Sequence, residues 1–214
     1  MMATQIPLEL QHVPSFELAD FIVSSANEDA VALLENHENW LGHAVALIGP
    51  EASGKTHLVR GWAAVNNALL FSDTSDIASV PAGSLVVCDN ADSSAYSDEK
   101  LFHLFNWTKE IGGKLLLTGK VHPTQWKVEL PDLRSRLATL TVGEITKPDD
   151  QLLMVLLIKL FSDRQLQVDI SVIDYILPRV ERSFNSVYQF VGRLDQASLS
   201  DKRKITRALA KKCL

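Results

Sequence analysis

Cysteine is scarce in this chain, which has only Cys88 and Cys213 among 214 residues. Two cysteines exclude a disulfide framework and a cysteine-built zinc site, and a reducing cytoplasm suits them. Basic charge does not dominate either, with 21 Lys and Arg against 26 Asp and Glu and a net charge of -5. A protein whose main task is coating nucleic acid needs a basic field, so any link to DNA is expected to run through a partner. There is no long hydrophobic run. The most apolar stretch, residues 152–161, is about half the length of a membrane-spanning helix, and Lys159 interrupts it. The opening residues lack the basic and apolar segments of a secretory leader. The six histidines show no metal-ligand spacing, and no Ser/His/Asp or Cys/His arrangement supports nucleophilic catalysis.

What is present is enough apolar material, 46% of residues, for one medium α/β domain and a small second one. Short apolar runs recur at residues 44–48, 68–71, 85–88, 114–117 and 139–142, separated by stretches long enough for helices at 27–38, 55–66 and 98–111. That rhythm predicts a five-stranded parallel sheet covered by helices. Gly112 and Gly113 are expected to stop the third helix before the fourth strand. After Val142 the character changes, and the remainder reads as a helical domain with elements at 149–163, 170–180, 184–198 and 202–213, Pro178 weakening the end of the second. The expected division is a tail at 1–12, a nucleotide-binding core at 13–146 and a helical domain at 147–214.

The run Gly49-Pro-Glu-Ala-Ser53-Gly54-Lys55-Thr56-His57 follows the first apolar strand and opens a helix. It fills every fixed position of a phosphate-binding loop. Glycines let backbone N–H groups turn inward around a phosphate, Lys55 adds a mobile cation, and Thr56 offers a hydroxyl to Mg²⁺. The N-terminus of the following helix favours the same anion.

Other positions carry chemistry on condition of that loop. Asp89 ends the third strand, where an ATPase of this type holds Mg²⁺ through water, although a strand-terminal Asp also caps turns. The next residue is Asn90, and an amide cannot serve as a general base, so weak intrinsic hydrolysis is expected. Thr118, at the tip of the fourth strand, is placed either to reach a γ-phosphate or simply to make a turn. Arg134 and Arg136 lie on a short segment before the fifth strand and read either as solvated arginines or as groups that reach a phosphate across an interface. Gln5, Ile6, Leu8 and Leu10 alternate on an extended, Pro-containing segment that suits docking in a partner's groove or an ordinary tail. The basic residues between 202 and 212 interleave with Ile205, Ala208 and Leu209, as on the solvated face of an amphipathic helix.

In order, these residues resemble the DnaA-related AAA+ family, and more closely its Hda branch of short regulators, from Gln5 to the C-terminus. Residues 20–23 with Asn27 are similar to the family's lead-in to the nucleotide pocket, in which Phe21 and Ile22 would contact the nucleotide. Residues 49–58 match Walker A, 86–90 Walker B, Thr118 sensor 1, and Arg136 the arginine finger, acting in trans. The resemblance implies an AAA+ core with a C-terminal helical lid. It also implies bound ADP or ATP with Mg²⁺ held by Thr56 and Asp89, and a bacterial, cytoplasmic, replisome-associated location. Gln5, Ile6, Leu8 and Leu10 resemble a motif for the β sliding clamp of DNA polymerase III, and the chain stops without room for a DNA-binding helix-turn-helix. The partners so implied are DnaA and the clamp, with DNA reached only through the clamp, no membrane, and a homodimer compatible. The lid arginine of sensor 2 is matched by Asn185, so that role is lost or is taken by Arg182. The function implied is an ADP-bound, clamp-tethered regulator that stimulates ATP hydrolysis by DnaA and represses re-initiation. The alternatives are a stand-alone AAA+ ATPase that remodels or loads a replication partner, and a nucleotide-free scaffold.

Overall fold

The structure, a computed structural model, describes residues 21–201 and 203–214. The tail residues Gln5, Ile6, Leu8 and Leu10 lie outside the described residues. Five parallel strands, β1 (Ala44–Ile48), β2 (Leu69–Phe71), β3 (Leu85–Cys88), β4 (Lys114–Gly119) and β5 (Thr141–Glu144), form one sheet in the order β2-β3-β4-β1-β5. The register pairs Leu47 with Thr118 and Ile48 with Gly119, so the carboxyl ends of β1 and β4 finish side by side.

Side chains alternate across the sheet with period two. Val86, Cys88, Leu115 and Leu117 face one layer, formed by α3 (Asp98–Glu110) and α4 (Pro131–Leu137). Val45, Leu47, Val87 and Leu116 face the other, formed by α1 (Glu28–Glu35) and α2 (Lys55–Asn66). β1 is buried along its whole length, as expected of a strand covered on both faces.

The helical domain consists of α5 (Asp150–Asp163), α6 (Ile170–Ile176), α7 (Phe184–Asp201) and α8 (Arg207–Cys213). Its core includes Leu157, Ile176, Phe190, Val191 and Leu194, all fully buried. Asp149 starts α5 by accepting from the Leu152 amide at 2.7 Å, and Thr206 starts α8 by accepting from Leu209 at 3.3 Å, satisfying amides that a helix start leaves unpaired. α8 buries Leu209 and Ala210 and exposes Arg207, Lys211 and Lys212, which is the solvated basic face read from the sequence.

Several boundaries differ from the sequence reading. The first helix ends at Glu35 and is followed by a separate 3₁₀ turn at His37–Asn39. β5 starts at Thr141 and not at 139, because Thr139 and Leu140 still close the end of α4, their amides donating to Arg136 and Leu137. α6 stops at Ile176, two residues before Pro178, and the last helix begins at Arg207 and not at 202. No helix among the described residues is long and apolar enough to cross a membrane.

Candidate functional site

β1 delivers the chain into the loop at residues 49–54, and α2 carries it away with Gly54, at φ +93°, in the left-handed conformation that glycine adopts freely. Gly49 is required by space: a Cβ there would sit 2.3 Å from the carbonyl oxygen of Ile145. No side chain caps the start of α2, so its first amides are left for a ligand. Within the loop the Ser53 hydroxyl is buried and without a hydrogen-bond partner.

Lys55 is itself buried, at 6% exposure, and its Nζ donates to the carbonyl oxygens of Gly49 at 2.6 Å and Pro50 at 2.8 Å. Burial pulls its pKa below the ordinary lysine value, and the carboxylates of Asp92 and Asp89 partly oppose that shift. An ammonium folded onto its own loop in this way is a cation that an incoming phosphate can recruit.

Asp89, just past β3, ties the first turn of α2 to β4. Its Oδ2 accepts from the Thr56 hydroxyl at 3.0 Å and its Oδ1 from the Thr118 hydroxyl at 2.6 Å. The Thr118 hydroxyl in turn accepts from the Asn90 amide at 2.8 Å. Thr118 is fully buried and sits behind Asp89, so it holds that carboxylate in place and does not itself line the cleft. Asn90 occupies the left-handed region at φ +55°, which asparagine tolerates, and its side chain does line the cleft. The Thr56 hydroxyl and the Asp89 carboxylate fit a hard cation that keeps several waters and takes other ligands from phosphate oxygens. Next to this pair, burial pushes the Cys88 thiol up to about 12, which leaves it inert as a nucleophile at neutral pH.

The cleft above the loop has a volume of about 1060 Å³. Its core side carries Ser53, Gly54, Lys55, Thr56 and His57, and its lid side carries Leu156 and Leu160 of α5 with Asn185 and Tyr188 of α7. Phe21 and Ile22 also line the cleft. The Phe21 ring meets His57 edge-on with centroids 5.8 Å apart, while Ile22 packs on the lid core. Asn27 pins this segment: its amide donates to the Ile22 carbonyl at 3.0 Å and its Oδ1 accepts from Ser24 at 2.9 Å. The lid is joined directly to the loop by the Phe184 amide, which donates to the Ala52 carbonyl at 3.3 Å.

The two residues left open for sensor 2 separate cleanly. Asn185 lines the cleft, whereas Arg182 is not on its wall and pairs with Asp150 at 2.9 Å. Arg136 also lies away from the cleft. Its guanidinium stacks over Phe102 and Phe105 of α3 at 5.0 and 5.5 Å from the ring centroids. Arg134, on the same short helix, donates from Nε to the Val128 carbonyl at 3.2 Å and so points elsewhere. Sequence reasoning missed Lys120 and Glu51, which line the cleft and form an ion pair at 3.2 Å, as well as the lid residues Lys159 and Asp163. For Lys120 the signal was its place two residues beyond Thr118.

Residues 149–214 match the family model of the Hda lid domain. An uncharacterised protein of Haemophilus influenzae is 28% identical over 235 residues, covering 100% of this chain and 99% of that protein. Among solved structures, domain III of the replication initiation protein DnaA of Thermotoga maritima superposes with a TM-score of 0.77 at 14% identity, covering 94% of this chain and 96% of that one. DnaA bound to AMPPCP and single-stranded DNA gives 0.70 at 20% identity, covering 94% and 68%. A single-substitution variant of Thermotoga maritima RuvB gives 0.70 at 17% identity, covering 93% and 71%. With the parallel sheet, the phosphate loop and the helical lid already described, these likenesses show the AAA+ fold of DnaA domain III over nearly the whole chain and an Hda-type lid over residues 149–214.

Proposed function

We propose that this protein is a nucleotide-binding regulator of replication initiation that holds ADP with Mg²⁺ and acts on the ATP bound by DnaA. The observation that carries this reading is a fully formed phosphate-loop cleft with amides where hydrolysis would want charge. Asn90 stands in the place of a second acid, and Asn185 faces the cleft from the lid. A site of this kind binds a nucleotide and turns it over slowly. In this reading Ser53, Gly54, Lys55 and Thr56 hold the phosphates, Thr56 and Asp89 the cation, and Phe21 and Ile22 the base end. The structurally similar DnaA is bound to AMPPCP, which supports a nucleotide as the ligand of this fold.

Arg136 is the group proposed to act in trans. An arginine on the surface of α4, outside its own cleft, can reach a neighbouring molecule's nucleotide. There it stabilises charge on the transferred phosphoryl group, an effect on the order of a thousandfold or more in systems of that kind. The tail bearing Gln5, Ile6, Leu8 and Leu10 would tether the protein to the sliding clamp, and the three-part division of the chain is proposed on the same basis. The consequence is repression of re-initiation by a bacterial, cytoplasmic, replisome-associated protein.

The test follows phosphate release from DnaA-ATP in the presence of DNA-loaded clamp. The parent protein and Arg134→Ala are expected to stimulate release, and Arg136→Ala to lose stimulation while keeping ADP binding and thermal stability. Full stimulation by Arg136→Ala sinks the trans role. Sustained ATP turnover by the protein alone would favour the stand-alone ATPase instead.

A further inference from the structure

The phosphate end of the cleft carries an ion pair that none of the motifs accounts for. Lys120 lies one residue past β4 and Glu51 lies two residues into the loop, and both line the cleft. Their approach follows from the sheet. Ile48 is in register with Gly119, and the Gly49 amide donates to the Gly119 carbonyl at 3.2 Å, so the residue after β4 must leave beside the first turn of the loop. The backbone of Lys120 is fixed there, its amide donating to Asp92 Oδ2 at 2.6 Å. Its side chain is not fixed. Nζ meets Glu51 Oε2 at 3.2 Å with the two side chains 52% and 82% exposed, and an ion pair so exposed is held weakly and exchanges partners easily.

This corner is short of positive charge. Lys55 and Lys120 are the cations around the start of the loop, and they face three carboxylates, Glu51, Asp89 and Asp92, all close enough to Lys55 to affect it. The ammonium of Lys55 already serves the carbonyls of Gly49 and Pro50. A third phosphate bound beside Glu51 would meet its negative charge, and Lys120 is the mobile cation next to it that could offset the repulsion. From the lid, Asn185 brings an amide, Lys159 and Asp163 bring one charge of each sign to the cleft wall, and Arg182 is engaged by Asp150.

We propose that the Glu51–Lys120 ion pair sets the preference of this site for a nucleoside diphosphate over a triphosphate. Glu51 repels the outermost phosphate and occupies the mobile cation beside it. Lys120 becomes a phosphate ligand only when it leaves Glu51. The inference rests on the phosphate-loop reading of the cleft and goes further by assigning its selectivity to a variable position of the loop, Glu51, and to Lys120 beyond β4.

Calorimetric titration of nucleotide-free protein with Mg²⁺ and either ADP or AMPPCP tests it in four proteins: the parent, Glu51→Gln, Lys120→Ala and Lys120→Arg. Glu51→Gln should tighten AMPPCP about tenfold and leave ADP within about twofold, the size expected when one charge-assisted contact is released. Lys120→Ala should weaken AMPPCP about tenfold with ADP again within about twofold, and Lys120→Arg should stay near the parent. A residue that merely supports the loop would shift both nucleotides together. Equal shifts for ADP and AMPPCP, or no shift for either, overturn the proposal while leaving the phosphate-loop reading standing. A parent protein that binds neither nucleotide overturns both.

Discussion

Most of the core wall of the cleft comes from one unbroken run, Glu51 to His57, joined by Asn90 and Lys120 from beyond the tips of β3 and β4. The lid wall comes from one face each of α5 and α7, whose cleft residues Leu156 and Asn185 lie far apart in sequence. The two walls also differ in chemistry. The core wall is polar and tightly bonded, with both oxygens of Asp89 and the ammonium of Lys55 engaged. The lid wall mixes Leu156, Leu160 and Phe184 with Lys159, Asp163, Asn185 and Gln189, and its position depends on the hydrophobic packing beneath it. The geometry of the phosphate-loop wall is thus set by hydrogen bonds, and that of the lid wall by hydrophobic burial beneath it.

The largest effect separating the walls is expected from Phe190→Ala. Phe190 is fully buried at the centre of the lid core, and removing so large a ring costs about 3–5 kcal/mol. Denaturant unfolding should show that loss. If the lid wall is shaped by packing, nucleotide affinity should fall with it although every phosphate-loop residue is retained. Undiminished affinity in a protein destabilised by that amount would show that the core wall binds alone.

Lys55→Ala breaks the opposite wall. Nucleotide affinity should fall by about ten- to a hundredfold, since a charge-assisted contact is lost, while the lid core is untouched. Its pH signature also has a definite sign. Burial lowers the Lys55 pKa below 10.5, so the unfolded chain binds the proton more readily and this group's contribution to stability improves as pH rises toward 10.5. Unfolding titrations of Lys55→Ala should lack that rise.

The smallest expected effect sharpens the comparison within the lid. Arg182→Ala removes an exposed ion pair with Asp150, its partners 60% and 57% exposed, and should change stability by less than about 1 kcal/mol. ADP affinity should stay within about twofold, because the guanidinium is not on the cleft wall. A large loss in calorimetry would return the sensor role to Arg182.

Legibility in the sequence followed locality. β1, α2 and β3 begin and end where the sequence places them, because each is bounded by its own punctuation: the loop glycines, the left-handed Asn67, and Asp89. That the phosphate-loop residues lie together could be read for the same reason, since spacing alone brings them to one cleft. β5 slipped by two residues because the end of α4 claims Thr139 and Leu140, a competition between two elements for the same backbone groups. Lys120 was hidden because its neighbour Glu51 is supplied by the β1–β4 register. The placement of Arg182 off the cleft wall likewise depends on Asp150, an ion-pair partner about thirty residues away that no local pattern announces.

The hydrogen bond from the Phe184 amide to the Ala52 carbonyl has a consequence for how the molecule responds to its ligand. A helix cannot satisfy its own first amides, and α7 obtains an acceptor for one of them from the phosphate loop of the other domain. Fraying of that first turn and the conformation of the loop are therefore one coupled equilibrium. Whatever orders the loop makes the start of α7 harder to fray. By reciprocity, whatever grips α7 from outside changes the affinity of the loop for its anion by the same factor.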